Sequence, residues 1–279
     1  MVASLRTLVC GTALLVALTT PSWADIRYTT EMIMEMNGQS QPTMTMTTQV
    51  KGKRERVDLK MEMGPMKMQR TTLTLCDTRQ RMEVSDAAKV FTVGPLNPVS
   101  QTAVGARPPK QDAPKQTGTG QMITTVAVKD LGPEKIGQFN TEHYIINMTI
   151  ETSGCAGNDK NTFESEVWVA AAVPVFSCPD IWQPSYATET DGCKISYVMK
   201  GDVKQFTSIH GGLVVQRKFK QPGGGAMVQR VSSYEGNVTL NDADFQAPSG
   251  YAKVSQGEFE QAVMKAMMQQ MQPPSGGGQ

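Results

Sequence analysis

Histidine is nearly absent from this 279-residue chain, which has only His143 and His210. Imidazole is the commonest general acid or base, so most acid–base chemistry has little to work with. His143 lies among alternating strand residues, and His210 precedes the Gly211-Gly212 turn. Both read as structural or surface positions. There is no nucleophile elbow, no HExxH and no phosphate loop. Asp242 and Asp244 read as a turn cap before Phe245. A basic surplus is missing as well: 27 Lys+Arg stand against 26 Asp+Glu, which argues against a nucleic-acid partner. The cysteines show no CxxC or other zinc spacing. Beyond the N-terminus no apolar run is long enough to cross a bilayer. The expectation is a non-enzymatic protein without a cofactor or metal centre, and not an integral membrane protein.

The N-terminus reads as a leader. Arg6 gives a positive start, residues 8–18 form a short apolar run, and Ser22-Trp23-Ala24 fits a cleavage site. Residues 1–24 are therefore expected to be removed and the remainder exported to the periplasm or secreted. Removal takes Cys10 and Arg6 with it and leaves acidic and basic residues balanced. Cys76, Cys155, Cys178 and Cys193 remain. An even count in an exported chain predicts two disulfides with no readable connectivity. Closing Cys178 to Cys193 would contribute about 3 kcal/mol on the chain-entropy model. Cys76, ending a strand, and Cys155, in a Gly-rich loop, form the complementary pair.

What the chain does have is alternation. In Arg54–Met63, Val57, Leu59, Met61 and Met63 alternate with Arg56, Asp58, Lys60 and Glu62. Gly64-Pro65 turns the chain. Met66 and Met68 open the next strand, while Leu73 and Leu75 close it on the opposite parity, which predicts a bulge near Gln69–Arg70. Met82, Val84, Phe91 and Val93 continue the meander. Upstream, Ile26, Tyr28, Met32, Met34 and Met36 share one parity, as do Met44, Met46, Thr48 and Val50. The cluster Lys51-Gly52-Lys53-Arg54 reads as a solvated hairpin.

Residues 98–120 are rich in Pro and Gly and poor in apolar side chains. They read as a flexible insertion within a single domain spanning 25–272. Further on, Tyr144, Ile146, Met148 and Ile150 alternate, with residues 163–169 as hairpin partner. Residues 174–186 form a mixed segment with room for a short helix. Strands are expected at 195–199, 206–209, 213–219 and 226–234. Ser255 and Glu258 make a capping box. Phe259, Val263, Met267 and Met271 then recur at helical spacing to about residue 272. This helix is expected to lie over the inward faces of Arg54–Met63 and residues 25–36. Residues 273–279 form a disordered tail.

Methionine is the unusual residue, with 19 copies, many spaced Met-x-Met. In a strand that spacing puts both thioethers on one face. The face formed by Met32, Met34, Met36, Met44, Met46, Val57, Leu59, Met61, Met63, Met66 and Met68 is soft and adaptable. It fits a core or cavity wall. Thioethers also select copper(I), but the His or Cys that usually accompany them are not nearby.

Four segments bear a family resemblance. They are Lys53-Arg54-Glu55-Arg56-Val57-Asp58, the hairpin of residues 77–93, Glu166-Val167-Trp168-Val169, and Phe245-Gln246-Ala247-Pro248-Ser249-Gly250-Tyr251. Together they resemble an uncharacterised family of exported bacterial domains related to the outer-membrane lipoprotein carriers (LolA/LolB-like). The resemblance implies a strongly curved, incomplete antiparallel barrel closed by helices around an apolar cavity that holds acyl chains. The four cysteines, the Pro-rich insertion and the Gly-rich tail depart from the carriers.

The fold expected is mainly β (α+β): a strongly curved antiparallel sheet with a C-terminal covering helix. The function expected is binding of an apolar or lipid-like ligand on that sheet. The alternatives are an envelope protein–protein interaction or sensor module with a filled core and, third, a Met-rich copper(I) binder.

Overall fold

The computed structural model describes residues 25–36, 39–63, 66–96, 117–176, 178, 185–190, 192–220 and 225–271. The expected leader (1–24), the expected tail (273–279) and most of the expected insertion 98–120 lie outside these residues, as does the middle of the mixed segment 174–186. The N-terminal meander is β1 (Ile26–Met36), β2 (Gln39–Lys51), β3 (Arg54–Met63), β4 (Met66–Leu75), β5 (Gln80–Ser85) and β6 (Val90–Pro95). Then come β7 (Gly118–Ile136), β8 (Phe139–Gly154), β9 (Lys160–Pro174), β10 (Ser185–Thr190) and β11 (Cys193–Gly201). Helix α1 (Val203–His210) precedes β12 (Gly212–Lys220) and β13 (Ala226–Gly236). A short 3-10 helix (Asp242–Phe245), β14 (Ala252–Lys253) and α2 (Gln256–Met271) complete the chain.

All fourteen strands join one open sheet, ordered β10-β11-β7-β8-β9-β12-β13-β1-β2-β3-β4-β5-β6-β14. The ladders are antiparallel except β11 on β7 and β14 on β6. The N-terminal meander joins the rest of the sheet where β13 pairs with β1.

The Cys76–Cys178 disulfide measures the curvature. Six ladder steps separate β9 from β4, about 29 Å in a flat sheet at about 4.8 Å per step. Cys178 follows the end of β9 by four residues and Cys76 follows β4 by one. Fully extended, that chain reaches about 18 Å, and the two Cα atoms are 5.7 Å apart. A flat sheet cannot close this bridge; a curved one can. The second bridge, Cys155–Cys193, ties the end of β8 to the start of β11. All four expected cysteines are used, but the pairing differs from both pairs drawn above. Curvature and strand order, not sequence proximity, decide which sulfurs meet.

The bridge also identifies the inner face. The Cys76 N–H still bonds the Lys53 carbonyl, so Cys76 continues the alternation of Thr72 and Thr74. A chord between two points of an arc lies on its concave side. The face bearing Thr72 and Thr74 is therefore the inner one. Val175, on the way to Cys178, packs with Tyr28, Val231 and Tyr234, so this segment straps one end of that face.

Three sequence expectations need correction. No bulge interrupts β4: its ladder with β3 runs without a shift from Arg54↔Leu75 to Met63↔Met66. The parity change is real, because β4 is covered on opposite faces at its two ends. Leu73 and Leu75 point outward into a cluster with Met82, Val84, Leu240 and Phe245, and Met68 points inward. Residues 206–209 are not a strand but part of α1, with Phe206 and Ile209 buried on one side. A four-residue apolar pair cannot distinguish the two periods. Finally, residues 118–120 of the expected insertion belong to β7, pairing with β11.

The capping box forms as expected. The Ser255 N–H donates to Glu258 at 2.9 Å, and Glu258 N–H donates weakly back to Ser255 Oγ at 3.4 Å. The Ser255 N–H, and the Ser255 hydroxyl donating at 2.7 Å, hold the Glu258 carboxyl below its ordinary pKa.

Candidate functional site

Residues directly opposite each other in a ladder share a face. Following the register from strand to strand traces one row across the inner face: Val167, Arg217, Gln229, Met32, Met44, Met61 and Met68. The neighbouring row runs Thr30, Met46, Leu59 and Arg70, and the next Tyr28, Thr48, Val57 and Thr72. Met34 follows Met32 by strand alternation. The expected Met-lined face therefore assembles from Met32, Met34, Met44, Met46, Val57, Leu59, Met61 and Met68. Met36, Met63 and Met66 lie in the strands, with side chains outside the described set.

Both helices sit on this inner face, one at each side. Helix α1 buries Phe206 and Ile209 against Val126, Ile146, Val167 and Val169. Helix α2 buries Phe259 completely, with the Arg70 guanidinium over its ring at 5.2 Å. Arg70 also pairs with Glu83 and with Glu260 of α2, and Gln256 donates to Glu83. The last helix thus packs on β4 and β6, displaced from the expected position over β1 and β3. The charged Arg70–Glu83 site fixes it there.

Between the helices the methionine rows are only half-buried. They belong to none of the three packed clusters. Among the described residues, no packed cluster fills this apolar surface. Met264 and Met268 of α2 remain open to solvent, at 62% and 52% exposure.

The outer face of the same strands is different. Arg56 makes a two-pronged bond to Asp58 and donates to the Asp244 carbonyl at 2.9 Å. Thr71 donates to Asp58, and Lys51 reaches the Leu240 carbonyl and Asp242. Of the cluster read as a solvated hairpin, Gly52 and Lys53 are exposed and Arg54 pairs with Asp77, whereas Lys51, together with Arg56, clamps the 3-10 helix, whose Asn241 caps Ala243 N–H. Tyr251 donates to Asp86 and accepts from Lys89. Two segments of the family resemblance, at 53–58 and 245–251, thus meet the same outer layer.

Polar groups on the inner face were missed by the sequence reading. Glu55 shares parity with Val57 and Leu59, and burial pushes its carboxyl up to about 7 despite a Thr74 hydrogen bond and the Arg81 charge. Burial first, then the Glu55 charge, pushes the Tyr28 phenol up to about 12. Arg217 stands between Val215 and Phe219, with its guanidinium 5.7 Å from the Phe219 ring. A charge at an apolar parity position was the available signal in each strand. His210 accepts from Arg217 at 3.1 Å and sits on the Phe206 carbonyl at 2.8 Å. The other histidine, His143, is on the outer face, stacked on Trp168 at 4.2 Å and 3.2 Å from Glu134. Trp168 donates to the same Glu134 oxygen.

A cleft of about 450 Å³ lies between the β7–β8 hairpin tip and β12–β13, lined by Ile136, Phe139, Val215, Val231 and Tyr234. Among the described residues no cluster of His, Cys, Asp and Glu suits a metal ion, and no helix is long and apolar enough to cross a membrane.

No protein-family model and no curated sequence matches the chain. Two crystal forms of PNGF-II superpose with a TM-score of 0.39, at 11% and 10% identity over 86% and 87% of this chain. The chain spans about a third of PNGF-II, 33% and 34% respectively. A DUF1329 family protein from Desulfovibrio piger superposes with a TM-score of 0.33 at 13% identity, covering 81% of this chain and 91% of that one. Superpositions this loose say nothing about what the chain does.

Proposed function

We propose that the protein is an exported, non-enzymatic binder of an apolar, acyl-chain ligand, held against the inner face of the sheet between α1 and α2. The leader expected from sequence, the two disulfides and the sequence resemblance to lipoprotein carriers support this reading. The observation that carries it is the half-buried methionine rows, framed by two helices and a disulfide-tied strap yet left out of every packed cluster of the described residues. Adaptable thioethers suit chains of variable length and unsaturation.

Titration with a fluorescent fatty-acid probe tests the proposal. Met61→Asp places a carboxylate in the row and is expected to weaken binding by about tenfold or more. Glu62→Ala, on an exposed outward residue of the same strand, is expected to leave binding unchanged. Circular dichroism establishes that each variant is folded. A folded wild-type chain that binds no acyl probe sinks the proposal and favours the interaction-module alternative.

A further inference from the structure

Arg217 follows Val167 in the row that Gln229 and then the methionines continue. Its guanidinium has five N–H donors in a rigid fork. One nitrogen is used by His210, at 3.1 Å. The His210 Nδ1 lies 2.8 Å from the Phe206 carbonyl and so carries the proton, leaving Nε2 to accept from Arg217. The Nε of Arg217 is shut off from solvent and has no acceptor. Among the described residues no carboxylate pairs with it. The inward arginines Arg70 and Arg81 are by contrast held by carboxylates, Arg70 by Glu83 and Glu260 and Arg81 by Glu83. Burial lowers the pKa of both Arg217 and His210. A shielded cation without an anion is costly, and a bound anion removes that cost.

We propose that Arg217, oriented by His210, is an oxyanion-recognition site that anchors the charged end of an amphiphile whose chain runs along the methionine row. This rests on the acyl-binding reading above. From Arg217 to Met68 the row crosses five ladder steps, about 24 Å, a run suited to a long acyl chain. A guanidinium with N–H donors to spare matches a carboxylate or a phosphate monoester. The head lies beside α1 and the tail points toward α2.

Isothermal titration of the chain from Asp25 onward with hexadecanoate, hexadecyl phosphate and hexadecanol, below their aggregation limits, separates the possibilities. Wild type is expected to bind at least one anion about tenfold or more tighter than hexadecanol, the range of a charge-assisted fork. The tighter of the two anions identifies the head as carboxylate or phosphate. Arg217→Gln is expected to abolish the preference while keeping hexadecanol affinity, and Arg217→Lys to retain part of it. Equal binding of hexadecanol and both anions by wild type overturns the anion site but leaves the acyl reading standing. Preference that survives in Arg217→Gln also overturns it. Binding of none of the three overturns both. If Arg217→Gln fails to fold, the wild-type comparison and Arg217→Lys decide.

Discussion

Single residues on the inner face carry the chemistry that parity alone did not reveal. Glu55 is the clearest case. Its folded pKa of about 7 lies above the ordinary carboxylate value, so the folded state holds the proton more tightly than the unfolded chain. Stability from this group is therefore full below about pH 4 and is lost as pH rises to about 7. Urea midpoints are expected to fall between pH 5 and pH 8 in wild type. Glu55→Gln, which keeps the Thr74 bond without the charge, is expected to flatten that difference. A wild-type midpoint that rises over the same interval, with Glu55→Gln unchanged from it, contradicts the assignment. Arg56 shows the opposite situation. Its charge is matched by Asp58 and by the Asp244 carbonyl. Arg56→Ala leaves Asp58 half-buried with Thr71 alone, and is expected to lower stability by about 2 kcal/mol in urea denaturation.

At the level of elements, α2 is held by few contacts of high value. Phe259 is fully buried on β4 and β6, capped by Arg70. Phe259→Ala is expected to cost about 3 kcal/mol of the helix's docking and to release α2 while the sheet persists. The measurement is hydrophobic-dye fluorescence alongside far-ultraviolet circular dichroism: dye signal rises and strand signal stays. Loss of the strand signal with the helix would show that α2 is part of the core rather than its cover. Ser255→Ala, removing only the cap, is expected to cost about 1 kcal/mol. The ladder of β3 and β4 shows why element-level reading stops short. Apolar parity changes from Met68 to Leu73, and a bulge is the local explanation. The actual cause is remote: Leu240 and Phe245 cover one end of β4 from outside, and the inner groove takes the other.

For the whole molecule the Cys76–Cys178 bridge is the decisive constraint. It closes a separation of 102 residues, and a loop of that length contributes about 4 to 5 kcal/mol in the chain-entropy model. The Cys76→Ser/Cys178→Ser double variant is expected to melt well below wild type, and more so than Cys155→Ser/Cys193→Ser, whose separation is 38. Thiol counting on the denatured, unreduced chain from Asp25 onward is expected to find none free. Two or more reactive thiols would refute the pairing.

Much of this architecture was legible in the residues themselves. Alternation in 26–36, 44–50 and 54–63 determined the strands and put the methionines on common faces, because side-chain direction in a strand depends only on parity. The Ser255–Glu258 box determined the start of α2, because capping is a contact between residues three apart. Tertiary structure alone decided the rest. Which face of each strand turned inward, which cysteines met, where α2 docked and which cation was left without a carboxylate among the described residues all depend on residues far apart in sequence. Arg217 and Met61 are separated by most of the chain and share a row only because β13 pairs with β1. Local patterns record a strand's two faces, and only the curved path of the whole sheet determines what each face meets.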